Sequence, residues 1–244
     1  MIFLNRISFI IYILLAVSCG STYQITRRDQ RNIRIYADSL KLYDTAMANR
    51  IAPYKQKLDA QMNVVIGSTS ERLVKSLPDG ALGNMMADAC LDYANKTSDK
   101  PVDFCVLNYG GIRLPSIEQG DITLGKIYEL MPFDNMIVSV ELNGQQCMDL
   151  FKWIASWKGS PVAGISMVLN DSSASNVLIN GVPFDYNKTY WVATTDYVAN
   201  GGDKATMFAG AKTIVSNHKL RDAIIEYIKV TRPMLKADNY GRIK

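Results

Sequence analysis

Histidine is nearly absent from this chain: one residue, His218, stands among 244. Hydrolytic metal centres draw on several imidazole and carboxylate ligands, so a histidine-rich two-metal site cannot be assembled from this sequence. His218 lies in Ser216-Asn217-His218-Lys219-Leu220 and reads as a surface or capping residue at the start of the last helix. Cysteine is scarce too, with Cys19, Cys90, Cys105 and Cys147 and no Cys-x-x-Cys spacing, which excludes a zinc knuckle and a dithiol redox motif. The longest apolar run, Ile7 to Val17, falls short of the roughly 20 residues that a comfortable membrane-spanning helix needs. Basic residues form no stripe: 27 Lys and Arg against 23 Asp and Glu give a net charge of +4, scattered along the chain. Nucleic-acid binding therefore has no compositional support. Repeats and low-complexity tracts are missing as well.

What is present is an ordinary globular composition, 48% hydrophobic, behind a targeting segment. Asn5-Arg6 and the apolar run lead to Ala16-Val17-Ser18-Cys19, a relaxed lipoprotein cleavage box flanked by small residues at Ser18, Gly20 and Ser21. Residues 1–19 are thus expected to be a lipoprotein signal peptide with a diacylglyceryl Cys19, and the alternative is an ordinary secretory signal with an incidental cysteine. The lipoprotein reading implies a bacterial envelope protein, lipid-anchored on the periplasmic face. Residues 20–34 read as a polar, Arg-containing tether with weak attraction to anionic headgroups, and residues 35–244 as one domain. With Cys19 lipidated an odd number of thiols remains, and Cys90 and Cys105 read as buried free thiols.

Leu40, Tyr43, Met47, Ile51, Tyr54, Leu58 and Met62 recur at spacings of three and four, the stripe of a long amphipathic helix that Pro53 bends or divides. The stripe is either core against a sheet or a surface that docks a partner; core is the simpler expectation. Further helices are expected near 82–94, 124–130, 144–157 and 220–230. Strands are expected near 64–66, 102–107, 136–141, 165–169, 177–179 and 190–195. Asn180-Gly181 marks a hairpin, because both residues tolerate positive φ. Mixed elements with late hairpins predict an α+β domain, a mixed β-sheet with packed helices.

Two runs carry the chemistry. Asn108-Tyr109-Gly110-Gly111-Ile112-Arg113 follows a buried strand, and Tyr197-Val198-Ala199-Asn200-Gly201-Gly202-Asp203 follows another. Each glycine pair permits torsions and close backbone approach that a side chain forbids. Asn108, Arg113 and Asp203, with aromatic neighbours, can bind ribose hydroxyls and a flat base: arginine supplies a planar donor fork and aspartate accepts hydroxyl protons. Either run on its own is equally an ordinary turn with a capping residue.

In order along residues 60–230, Leu82-Gly83-Asn84-Met85-Met86-Ala87-Asp88-Ala89, the Asn108–Arg113 run, Gly120-Asp121-Ile122-Thr123, Met131-Pro132-Phe133-Asp134-Asn135 and the Val198–Asp203 run resemble the C-terminal, substrate-binding domain of the 5′-nucleotidase family. That family includes periplasmic UDP-sugar hydrolases and animal ecto-5′-nucleotidases. The resemblance implies that Phe133 and Tyr197 clamp a nucleoside or nucleotide, that Asn108 meets the base and that Arg113 and Asp203 hold the ribose. Gly110, Gly111, Asn200, Gly201 and Gly202 shape the two loops. Tyr197 stands where relatives often have Phe, which keeps stacking and adds a hydroxyl. Phe133 is otherwise a core aromatic after a proline turn. Relatives also carry a phosphate-binding Arg before the Leu-Gly-Asn helix start; here Arg72 and Lys75 occupy that neighbourhood, and both otherwise read as solvated strand-face charges. Family enzymes bear an N-terminal metallophosphatase domain whose divalent metals activate water. The resemblance therefore implies the binding half of a nucleotide-catabolising phosphohydrolase, with no cofactor of its own, not catalytic alone, and dependent on a separate metallophosphatase subunit that carries the metals. Its alternatives are a stand-alone nucleoside-binding lipoprotein and a degenerate interaction module.

Overall fold

The computed structural model describes residues 44–238 and 241–244. The chain divides into two compact units, Met1–Ala48 and Asn49–Lys244. Of the first unit only residues 44–48 are described, so the signal segment, Cys19, the tether, Leu40 and Tyr43 lie outside the described residues.

The chain proceeds through α1 (Thr45–Met62), β1 (Val65–Thr69), β2 (Leu73–Val74), α2 (Ala81–Thr97), β3 (Phe104–Val106), β4 (Ser116–Ile117), β5 (Gly120–Thr123) and α3 (Leu124–Leu130). It continues with β6 (Met136–Leu142), α4 (Gly144–Ser156), β7 (Val162–Ala163), β8 (Ile165–Asn170), β9 (Ser173–Ile179) and β10 (Val182–Pro183). Then follow β11 (Tyr190–Thr195), the short α5 (Asp196–Ala199), β12 (Lys212–Lys219), α6 (Leu220–Glu226), a π turn over Tyr227–Thr231 and β13 (Met234–Leu235). The fold is α+β, as its pattern of elements predicts.

Five strands in the order β12-β6-β11-β3-β7 make the central sheet. Its pairings are antiparallel except β11 with β3, which run in the same direction with Val192 opposite Phe104. Every residue of β11 is buried, and the period of two sorts the side chains between two cores. Cys105 and Ala193 face one core with α2 and α6, where Leu82, Met86 and Ile224 pack. Phe104, Val106, Val138, Val140 and Val192 face the other, against Leu150, Phe151 and Ile154 of α4. Each fully buried Leu, Ile or Phe contributes roughly 1.5–3 kcal/mol, so the sheet centre is the most stabilised part of the fold. A separate sheet, β10-β9-β8, packs beside α4, and β13-β1-β5 forms a third. The turn between β9 and β10 is Asn180-Gly181 with φ of 49° and 78°, as the hairpin signal requires.

Two expectations need correction. α1 is a continuous helix through Pro53 and has no buried residue; Met47, Ile51, Tyr54 and Leu58 are all more than half exposed, so the stripe is not core. His218 lies on β12, not on the last helix, and stacks on Tyr93 at 4.3 Å between ring centroids. The last helix begins at Leu220 and passes into a π turn at Tyr227. Among the described cysteines, Cys90, Cys105 and Cys147 are free and buried, as the odd count suggests.

Candidate functional site

Both glycine-rich runs leave the same end of the sheet, because β3 and β11 are parallel neighbours and each run follows its strand's carboxyl end. After β3, Tyr109–Gly111 form a 3-10 turn in which Gly111 N donates to the Asn108 carbonyl at 3.1 Å. Arg113 N donates to Leu130 O at 2.9 Å, which fastens this loop to the end of α3. After β11, Thr195 caps α5, Gly201 takes φ 90° and Asp203 takes φ 51°, ψ 30°. A left-handed aspartate costs roughly 1 kcal/mol, and three ties offset it. Trp153 Nε1 of α4 donates to the Asp203 carbonyl at 2.9 Å. Asn108 Nδ2 donates to Asp203 Oδ2 at 2.7 Å. Tyr197 Oη donates to Asp203 Oδ1 at 3.0 Å.

The third wall comes from the segment between α3 and β6. Arg221, only 7% exposed, donates from Nη1 to the carbonyls of Met131 and Phe133, each at 3.3 Å, and pairs through Nη2 with Asp134 Oδ1 at 2.6 Å. Lys219 Nζ reaches Asp134 Oδ2 at 3.0 Å, and the Lys219 and Arg221 hydrogen bonds hold the Asp134 carboxyl below its ordinary value. Asp196 Oδ1 accepts from Met136 N at 3.1 Å and Tyr197 N at 2.8 Å, joining this segment to the second loop. With its main chain so held, Phe133 projects outward, 40% exposed. It is therefore not the core aromatic that a proline turn alone suggests.

The result is a cleft of about 320 Å³ lined by Asn108, Arg113, Phe133, Asn135, Tyr197 and Asp203, with Gly110 and Gly111 at its floor. That is near the lower end of the usual range for small-molecule pockets, about 300–1,000 Å³. Two exposed aromatic rings, Phe133 and Tyr197 at 40% and 45% exposure, flank a carboxylate, an amide and a guanidinium. Such rings offer π faces to a flat base, and the polar groups offer donors and acceptors for a sugar. Arg113 Cζ lies 5.8 Å from the Phe133 ring centre, which keeps the guanidinium at the mouth of the cleft. Asn200, Gly201 and Gly202 line an adjoining depression on the far side of the second loop, together with Asn135, Asp196 and Tyr197. The expected site residues thus come together in one place, apart from Asn200, Gly201 and Gly202, which shape the loop from behind.

Sequence reading missed Asn135 and Trp153 as parts of this neighbourhood. Asn135 stands two residues beyond Phe133, so the motif that located the ring also contained it. Trp153 carried no such signal, because only the docking of α4 brings its indole N–H to the second loop. Lys75 is half-buried, donates to Ile112 O at 2.8 Å and sits 4.1 Å over the Tyr109 ring; burial, and then the Arg113 charge, lower its pKa. It is not a solvated strand-face charge. Arg72 is one: it is exposed and pairs with Glu118. No group of three or more His, Cys, Asp or Glu residues that could hold a metal occurs among the described residues.

The fold is thus a mixed α+β domain that places two aromatic rings, an amide, an arginine and an aspartate around one cleft. A family model described as the 5′-nucleotidase C-terminal domain matches residues 60–210, and the chain belongs to this family. It is 31% identical over 210 residues to a 5′-nucleotidase of Vibrio cholerae, covering 82% of this chain and 36% of that protein. Among solved structures it is similar to the 5′-nucleotidase precursor of Thermus thermophilus, with a TM-score of 0.71 and 26% identity over 82% of this chain and 43% of that one. It shares its fold with the NAD nucleotidase of Haemophilus influenzae, with a TM-score of 0.66 and 21% identity over 83% of this chain and 41% of that one. The chain spans about a third of the length of the curated relatives it matches.

Proposed function

We propose that this chain binds a nucleoside or nucleotide in the cleft between Phe133 and Tyr197, as the recognition half of a 5′-nucleotidase-type phosphohydrolase. The observation that carries the reading is the convergence of Asn108, Arg113, Phe133, Tyr197 and Asp203 from separate parts of the chain around one opening. The base stacks between the rings, and the ribose hydroxyls donate to Asp203 and accept from Arg113. Asn108 gives one amide hydrogen to Asp203, so its carbonyl oxygen and second amide hydrogen are left for a base edge. Lys75 lies beside Tyr109 and Arg113 and adds positive charge on the side where a phosphate would leave the cleft.

Hydrolysis itself falls to a separate metallophosphatase subunit whose divalent metals activate water. The single histidine and the lack of a metal-ligand cluster among the described residues support this division of labour. A lipid on Cys19 would hold the domain at a bacterial envelope membrane, where nucleotides taken from outside the cell are broken down.

A thermal-shift titration of the chain without its first nineteen residues, against adenosine, AMP, UDP-glucose and inorganic phosphate, tests the cleft. Ligand at a hundred times its dissociation constant should stabilise the fold by about 2.7 kcal/mol, and Asp203→Ala should abolish the rise. No shift with any nucleoside or nucleotide would overturn the binding role. Phosphate release from AMP by the purified chain alone, with manganese or zinc, would overturn the division of labour.

A further inference from the structure

The second loop contains a hydrogen bond that a phenylalanine at position 197 could not make. Tyr197 Oη donates to Asp203 Oδ1 at 3.0 Å, while Asn108 Nδ2 donates to Oδ2 at 2.7 Å. With one donor on each oxygen, the carboxylate cannot rotate without breaking a hydrogen bond. The tyrosine ring is held along its edge as well. A Cβ at Gly202 would lie 2.5 Å from Tyr197 Cε1, so the ring rests directly on the bare glycine backbone that leads into Asp203. Ring, glycine backbone and carboxylate form one closed unit.

Phe133 is held differently, through its main chain and beneath the Arg113 guanidinium, and it has no hydroxyl with which to hold the carboxylate. A carboxylate has about four lone-pair sites. Two are taken here, which leaves acceptor capacity for two further hydroxyl donors, the number a vicinal diol presents.

We propose that Tyr197 is a positioning residue for sugar recognition: its hydroxyl holds the Asp203 carboxylate at a fixed place relative to the stacking ring, so the cleft selects ligands that carry base and vicinal diol on one frame. The inference rests on the nucleoside reading above and deepens it. A ring without the hydroxyl would stack a base as well. The hydroxyl is what couples stacking to recognition of the diol, and so separates a nucleoside from its free base or a dideoxy analogue. The bond is reciprocal. The hydrogen bond to Asp203 is the first cause of a raised Tyr197 pKa, so the phenol keeps its proton throughout the neutral range and the tie is lost only as pH climbs beyond the ordinary phenol value.

Isothermal titration of the purified chain and of Tyr197→Phe, Asp203→Ala and the double variant tests this with adenosine, 2′,3′-dideoxyadenosine and adenine as probes. Tyr197→Phe should weaken adenosine about fivefold, the size of one net hydrogen bond. It should leave adenine and the dideoxynucleoside within about twofold, because stacking is retained. In the Asp203→Ala background the same change should add nothing, since the acceptor is gone. Equal weakening of all three probes would mean that position 197 acts through ring placement alone and would overturn the proposal, as would unchanged adenosine binding or a loss that persists without Asp203. If the wild-type chain binds no nucleoside, the nucleoside reading fails and takes the proposal with it; the wild-type titration therefore tells the two failures apart. A ligand-free readout tests the tie itself. With ¹³C-labelled tyrosine, Asp203→Ala should bring the Tyr197 titration back towards the ordinary phenol value, and an unmoved midpoint would overturn the tie.

Discussion

Gly202 has no room for a side chain: a Cβ there would lie 2.5 Å from both the Tyr197 carbonyl oxygen and its ring carbon Cε1. Gly202→Ala must displace the stacking ring or the loop, at a cost of about 1–3 kcal/mol for overpacking, and adenosine binding should fall with it. Calorimetry of the variant beside a binding titration checks both effects. Gly201 meets nothing within 4 Å and needs its glycine for φ 90° instead, so the two neighbours are required for different reasons. The sequence made the pair visible but not that distinction, which depends on where the Tyr197 ring comes to rest. The described thiols lie at the opposite extreme of reactivity. Burial pushes Cys147 up to about 12 and Cys105 well above its ordinary value, with Cys90 beside it. Cys105 and Cys147, held above the ordinary thiol range, stay protonated as pH rises through 8 and 9, and Cys90 is fully buried, so the folded domain should show no reaction of Cys90, Cys105 or Cys147 with a disulfide reagent at pH 8. Mass mapping of the modified chain reads this out site by site.

At the scale of elements, α4 does more than fill the second core. It opens with a full capping box, Asn143 Oδ1 accepting from Gln146 N at 2.9 Å and Gln146 Oε1 accepting from Asn143 N at 3.1 Å. Gln146 Nε2 and Trp153 Nε1 then reach over to the carbonyls of Met207 and Asp203. Trp153→Phe should cost about 1 kcal/mol and release the left-handed Asp203, so its loss in nucleoside affinity should exceed what the change in melting temperature suggests; parallel calorimetry and titration compare the two. The start of α4 was legible, because apolar residues return every three or four positions from there on. Its reach to the site was not, since a side chain's partner across the fold leaves no trace in local spacing. The strands divide the same way. β6 and β11 announce themselves by β-branched, buried residues, whereas β12 is a sheet edge with mostly exposed positions, and the sequence Lys-Thr-Ile-Val-Ser-Asn-His-Lys has no apolar face to read. β13 is two residues long and gains its identity only by pairing with β1. Phe133 was legible as an aromatic near a turn, but its exposure depends on Arg221, roughly ninety residues further along the chain, taking hold of the main chain on either side.

For the whole molecule, α1 presents an apolar stripe that stays exposed among the described residues. Its four stripe residues are exposed and the helix buries nothing, so a chain beginning at Gln61 should keep the melting temperature of one beginning at Asp44, within the roughly 0.5 kcal/mol typical of surface changes. A fall several times larger, measured by calorimetry, would show that the stripe is covered in solution. The three-to-four spacing was legible; its exposure among the described residues was not, because periodicity records a face and not what lies opposite it.

The parallel pairing of β3 with β11 carries a consequence for how such a protein changes over generations. Both recognition loops begin where a fully buried strand ends, and neither contributes its tip residues to the two cores. Substitutions at the exposed Arg113 or Asn200 therefore cost the scaffold little, while the strands beneath keep the loop ends at a constant separation. A lineage can exchange one ligand for another by rewriting a few exposed positions, with the same sheet inherited unchanged below them.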